Sequence, residues 1–176
     1  MADVIVIGGA PGSGKETLAN MLRDHFDSPC IDLGTLRGFH LDREWKRASS
    51  EDEAVAFENL VAMVRNYLRH GYRNIVVRDL RDARVRQLPE LLVGHACTIL
   101  TLVVDDAELR ERVSGREHGF TDVDDASRRN TALKRRRLAA NEHRLDNTGD
   151  IRHTYQQALA QLSSEEAPGQ GPEAPR

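Results

Sequence analysis

Gly9-Ala10-Pro11-Gly12-Ser13-Gly14-Lys15-Glu16-Thr17 is the stretch whose residue types and spacing point most directly to chemistry, and that chemistry is the holding of phosphate. Glycines at 9, 12 and 14 can take backbone angles closed to other residues, so successive N–H groups turn inward toward an anion. Lys15 adds a point charge, and a helix opening behind it would aim its positive end at the same place. Glu16 stands where a hydroxyl usually follows the lysine. A carboxylate facing phosphates would repel them, so Glu16 is expected to point to solvent, leaving Thr17 to offer its hydroxyl. Gly9, Gly12, Ser13, Gly14, Lys15, Glu16 and Thr17 are therefore the candidate phosphate-cradle residues.

A second set is made of arginines and carboxylates. The chain has 22 arginines and three lysines; the total reads as compositional bias, and only arginines placed by a motif are read functionally. A guanidinium fork grips phosphate bidentately, and preorganised guanidinium groups stabilise the charge that phosphoryl transfer spreads over its equatorial oxygens. Arg37, Arg81, Arg84, Arg112 and Arg116 are such candidates. Asp32 and Asp79 each end a short β-rich run, where a carboxylate can serve as a base or hold a metal's water shell.

The elements needed to position these residues are legible. Residues 3–8 form a β-branched run ending in Gly-Gly, and Leu18, Met21, Leu22 and Phe26 follow at helical spacing, which predicts strand, glycine loop, helix. Residues 30–32 read as a short strand. Glu51, Asp52 and Glu53 open a helix with the stripe Ala54, Phe57, Leu60, Val61, Val64 and Leu68, stopped at Gly71. A strand over 74–79, a helix through Leu92, a strand over 97–104 and a helix carrying Leu109 and Val113, capped by Asp105 or Asp106, come next. A polar loop over 114–122, a basic helix over 124–141, a strand over 143–146 and a helix marked by Ile151, Tyr155, Leu159 and Leu162 complete the pattern. The tail 163–176 has the composition of a disordered segment. Strands alternating with helices predict a parallel sheet covered on both faces.

Composition narrows the function classes. With 176 residues, 39% apolar and 30% charged, the chain suits one domain with its own core, and its net charge of −3 gives no reason to expect nucleic-acid or membrane-surface binding. Cys30 and Cys97 make neither a disulfide framework nor a zinc site, which suggests a reducing, cytoplasmic home. No stretch approaches the ~20 apolar residues of a membrane span, and no leader is evident. Seven scattered histidines, His118 among them, show no metal-ligand spacing.

GAPGSGKET resembles the phosphate loop of adenylate kinases and related nucleoside monophosphate kinases, in which a glycine commonly takes the place of Glu16 and a threonine follows. The resemblance implies an α/β, three-layer P-loop NTPase fold with a five-stranded parallel sheet and a short lid. It implies ATP as donor and Mg2+ held largely through waters, with Thr17 and Asp79 the residues nearest it. Arg112-Val-Ser-Gly-Arg116 is similar to the family's lid entrance, which gives Arg112 the adenine side of the ATP site and Arg116 the phosphates. Asp124-Asp125 matches an acidic pair after the lid; Asp122 stands where the family has an arginine, and one of Arg128 and Arg129 faces the phosphates, with Arg128 the candidate chosen. Residues 145–150 resemble the loop lining the adenine pocket, which brings in Asn147.

The acceptor side matches less closely. Gly34 precedes Arg37 by three residues where the family has four, and Asp79-Leu-Arg81-Asp82-Ala-Arg84 replaces Asp-Gly-x-Pro-Arg. His40, Arg43, Trp45 and Arg47 are expected on a helix able to close over a base. The expectation is a kinase domain over 1–162, with acceptor-binding helices over 35–72 and a lid loop over 114–124. It transfers the γ-phosphate of ATP to a small-molecule acceptor, a nucleotide for preference. A hydroxyl acceptor such as a nucleoside or sugar, with Asp32 as base, is the alternative, and a nucleotide-binding module that has lost catalysis is a third reading. The sequence sets neither the oligomeric state nor a choice between ATP and GTP.

Overall fold

The computed structural model describes residues 2–39, 49–117 and 119–164. Its centre is β1 (Val4–Gly9), whose Val4, Ile5, Val6 and Ile7 are fully buried because helices cover both faces of the strand. The chain runs from β1 into α1 (Lys15–Phe26), then β2 (Cys30–Asp32), α2 (Leu33–Gly38) and α3 (Ser50–Arg69). It continues through β3 (Ile75–Arg78), α4 (Asp82–Leu91), β4 (Cys97–Val103), α5 (Asp106–Ser114), α6 (Val123–Arg135), β5 (Glu142–Asp146) and α7 (Ile151–Ser164). The sheet order is β2-β3-β1-β4-β5 and every pairing is parallel. The first half of the chain builds to one side of β1 and the second half to the other, so the ligand crevice of such a sheet falls at the C-terminal end of β1.

Alternation along the strands sorts the core into two layers. Val4, Val6, Val77 and Ile99 face α3 and α4, where Phe57, Leu60, Val64, Val85 and Leu88 meet them. Ile5, Ile7, Val76, Leu100 and Leu102 face α1 and α7, through Leu18, Leu22, Ala158 and Leu162. The three-layer α/β fold with five parallel strands is thus the one expected.

Four boundaries differ from the sequence expectation. The third strand is Ile75–Arg78 because Asn74 and Asp79, at its two ends, have φ of 53° and 64°. The short α2 starts at Leu33, directly after Asp32, whose carboxylate caps it by accepting from Thr35 N at 3.1 Å. The basic helix stops at Arg135 rather than Asn141, and α7 extends through Ser164, into what was expected to be tail. The rest of that tail, like His40, Arg43, Trp45, Arg47 and His118, lies outside the described residues.

The early stop of α6 has a definite cause. Arg136 takes extended angles (φ −69°, ψ 153°) and sends its guanidinium to Glu142, at 2.7 Å from Nη1 and 2.5 Å from Nη2, and to Asp82 at 2.9 Å. Glu142 is buried on β5 and also accepts from Thr101 Oγ1 and, at 3.2 Å, Ala139 N. Burial pushes the Glu142 carboxyl up, but the Arg136, Thr101 and Ala139 donors outweigh it and hold it below the ordinary value of 4.5. A carboxylate depressed in this way stabilises the fold above its unfolded value and loses that contribution as pH falls through its folded one. Arg136→Met should therefore cost about 3 kcal/mol or more at neutral pH, since it strands a buried charge. The deficit relative to the parent should shrink below pH 4.5 as Glu142 protonates. Urea unfolding at pH 7 and pH 4 measures both.

Candidate active site

The loop after β1 is shaped around inward-facing amides. Gly9, Gly12 and Gly14 have φ of 146°, 83° and 89°. At Gly14 a Cβ would stand 2.3 Å from Asn147 Nδ2, and at Gly9 it would stand 2.4 Å from Ser13 Oγ, so neither position tolerates a side chain. Ser13 N donates to Ala10 O at 3.1 Å, which closes the turn. Gly14 caps α1 without a side chain, and the first N–H groups of the helix, at Lys15, Glu16 and Thr17, have no preceding turn of carbonyls to take them. Ser13 is fully buried and its hydroxyl has no hydrogen-bond partner, a donor left over inside the loop. This donor set fits a chain of phosphates.

Lys15 lies across the mouth of that loop, donating from Nζ to Ala10 O at 2.8 Å. Burial strips its ammonium of water and pushes the pKa down to about 8; Asp79 opposes the shift, while Arg116, Arg129 and Arg78 add to it. The charges of three guanidinium groups, from different parts of the chain, thus act on the lysine. Arg129 is one of them, held by Asp125 at 2.5 Å and stacked 5.3 Å from the centroid of Phe120. Arg128 also pairs with Asp125, on an exposed face, and lines a shallow hollow with Asp106 and Arg110; of the two it is Arg129 whose charge acts on Lys15. Asn130, buried beside it, brackets the Val104 backbone, donating to the carbonyl at 2.6 Å and accepting from the N–H at 3.1 Å. That bracket fixes α6 to the end of β4 and with it the root of Arg129.

The adenine-side residues are more structural than the sequence implied. Asn147 is buried, and its amide is used at both ends: Nδ2 donates to Ser13 O at 2.8 Å and Oδ1 accepts from Thr154 Oγ1 at 2.8 Å. It ties the phosphate loop to α7 and does not present a free amide to a base. Arg112 pairs with Glu108 and donates to Asn147 O at 3.0 Å and Gly149 O at 3.4 Å. Glu108 in turn accepts from Gly149 N, 3.0 Å from Oε2. Arg116 is exposed at the end of α5.

On the acceptor side, arginines and carboxylates are already paired. Arg78, the last residue of β3, bonds Asp32 at 2.5 Å and stands 3.7 Å from Glu16, whose side chain is 71% exposed. Arg37 bonds Asp79 at 2.6 Å, and Arg81, itself exposed, bonds Glu53 at 3.0 Å. Arg84 packs over the ring of Phe57 at 4.6 Å and donates to Gln87 at 2.6 Å. A Cβ on Gly34 would stand 2.7 Å from Asp79 Oδ2 and 2.9 Å from Asp32 Oδ1, so the two carboxylates close over that glycine. Thr17 is exposed on the first turn of α1. Arg78 was missed by sequence reasoning; the signal was a charged residue closing an otherwise apolar strand immediately before Asp79.

Sheet order, glycine loop and the cations around Lys15 define a P-loop α/β protein. Comparison with known proteins is consistent with that class. A family model described as an AAA domain matches residues 5–148. An adenylate kinase of Nocardioides sp. is 31% identical over 144 residues, which is 68% of this chain and 72% of that protein. Among solved structures, a sugar kinase from Janibacter sp. has a TM-score of 0.71 at 19% identity, covering 93% of this chain and 95% of its own. A gluconokinase from Sinorhizobium meliloti also reaches 0.71, at 18% identity and 93% coverage of both chains. The chain belongs to this AAA-domain family and is an adenylate kinase-like P-loop kinase.

The depressed Lys15 pKa has a measurable consequence. A bound triphosphate favours the ammonium, so binding ATP near pH 8 should draw a proton from solution, and affinity should fall as pH rises above about 8. Titration calorimetry in two buffers of different ionisation enthalpy reads that uptake. Lys15→Met should remove it and weaken binding by about tenfold or more. Proton-neutral binding by the parent at pH 8 would contradict the assignment.

Proposed function

We propose that this kinase transfers the γ-phosphate of ATP to a small acceptor bound between α2 and the ends of β2 and β3, with a nucleotide the favoured acceptor. The observation that carries the reading is the arrangement at the sheet's C-terminal edge. Lys15 stands in the phosphate loop with Arg116, Arg129, Arg78 and Asp79 all acting on its charge, and on the acceptor side Arg78 pairs with Asp32 and Arg37 with Asp79. Kinship to an adenylate kinase favours a nucleotide. In this reading residues 35–72 form the acceptor side and 114–124 the lid.

The loop amides and the Ser13 hydroxyl grip the donor phosphates, and Lys15 neutralises charge at the transferred group. Arg129, rooted by Asn130, adds a second cation, and Arg116 closes from the lid. Arg112 and Asn147 act indirectly, by fixing the loop against which a base would lie. Mg2+ suits the oxygen donors present: Asp79, with Asp32 close to it across Gly34, and the exposed Thr17 hydroxyl at the start of α1 would hold the ion's waters. Bound there, it would neutralise charge between phosphates.

One observation supports a hydroxyl acceptor as the second reading. Arg37 and Arg78 are each neutralised by a carboxylate, so this edge carries little surplus positive charge for a second phosphate. An acceptor phosphate is anionic and needs no base, whereas a hydroxyl benefits from one. Release of ADP should be measured with nucleoside monophosphates, nucleosides, sugars and sugar acids as acceptors. The nucleotide reading expects stimulation by one or more monophosphates, with Asp32→Asn reducing kcat less than about tenfold. A drop of roughly a hundredfold or more in Asp32→Asn, with acceptor binding retained, moves the assignment to a hydroxyl kinase. ATP binding without stimulation by any acceptor would point to lost catalysis.

A further inference from the structure

Arg78 occupies a place that neither the phosphate loop nor the acceptor arginines read from the sequence account for. It is the C-terminal residue of β3, in register with Ile7 of the central strand on one side and Asp32 of β2 on the other. Its backbone is thus fixed by the sheet, and its guanidinium, only 20% exposed, lies between the residue that follows the loop lysine and the carboxylate that caps α2. Nη2 serves both partners: Asp32 closely at 2.5 Å, and Glu16 loosely at 3.7 Å.

The neighbouring arginines are placed differently. Arg37 rises from the short α2 onto Asp79, Arg81 lies out on Glu53, and Arg84 is spread over Phe57. Arg78 alone among these four both grows from the sheet and lies close enough to lower the pKa of Lys15. A guanidinium has five donors in a rigid fork, so a carboxylate on one nitrogen leaves capacity for a second anion. The Glu16 contact is long and made by an exposed side chain, which makes it the partner an incoming anion can displace at little cost. It also gives Glu16 a reason to stand where a hydroxyl is usual.

We propose that Arg78 is the specificity-determining residue of the acceptor side, binding a phosphate or carboxylate group of the acceptor in place of Glu16 while Asp32 holds its guanidinium in position. This rests on the reading of the protein as a small-acceptor kinase and narrows the acceptor to an anionic one. It predicts discrimination between matched molecules that differ in one anionic group.

The test measures calorimetric affinity of the full chain, saturated with a non-hydrolysable ATP analogue, for AMP against adenosine and for gluconate against glucose. The parent should bind the anionic member of at least one pair about tenfold or more tightly than its neutral partner. Arg78→Met should erase that preference while leaving affinity for the ATP analogue within about threefold, which also shows that the variant is folded, and Arg78→Lys should restore part of it. The AMP pair and the gluconate pair separate phosphate from carboxylate recognition. No preference in the parent, or an equal loss for both members of a pair in Arg78→Met, overturns the proposal. The kinase reading itself is judged separately, by ADP release from the parent.

Discussion

Lys15 gives up water to sit in the phosphate loop, where its ammonium takes the Ala10 carbonyl as a partner. That exchange is poor for an ammonium and good for a phosphate, which is why the lysine's pKa falls to about 8 and why an arriving polyanion is favoured there. The sheet makes the exchange possible. Four fully buried residues of β1 deliver the loop to a fixed point, and positive φ at three glycines turns its amides inward. Every other feature of the site can be understood as managing the electrostatics around that one desolvated cation.

The two sides of Lys15 manage it differently. Asp79 steadies the charged form, while Arg116, Arg129 and Arg78 press against it. Arg37, Arg78 and Arg81 on the acceptor side are each matched to a carboxylate, so cations are held close to a phosphate site without repelling one another apart. Such pairs preorganise the guanidinium groups before substrate arrives, and the cost of organising them is met in folding rather than in the transition state.

Most of the fold was readable from the sequence because it rests on local patterns. β-branched runs of four to seven residues predicted the longer strands, and the stripe from Ala54 to Leu68 predicted α3. The phosphate loop was equally legible, since its glycines and lysine are contiguous. What could not be read is what depends on partners distant in sequence. The end of α6 is decided by Arg136 turning to Glu142 and Asp82, and a run of three arginines gives no sign of which one leaves the helix. The choice between Arg128 and Arg129 depends on helix phase, which Asn130 sets by gripping Val104, 26 residues away in sequence. Asn147 looked like a residue that reads a base; its bond to Ser13 spans 134 residues and no local pattern announces it.

That long bond also shows why donor and acceptor sides should behave unlike one another. The donor side is stitched together by side chains bound to backbone groups: Asn147 to Ser13 O, Arg112 to the carbonyls of Asn147 and Gly149, and Glu108 to Gly149 N. The buried bond from Asn147 to Ser13 cannot be traded for a ligand contact without leaving a buried polar group unpaired, so the cradle is held rigidly there. The acceptor side is stitched by side-chain ion pairs, Arg78 to Asp32 and Glu16, Arg37 to Asp79, and Arg81 to Glu53. An anion can replace a carboxylate in such a pair without orphaning the arginine. The same fold therefore presents a fixed grip for the phosphate donor and an exchangeable one for the acceptor, so differences in acceptor can arise from a few charged side chains while the cradle around Lys15 stays as it is.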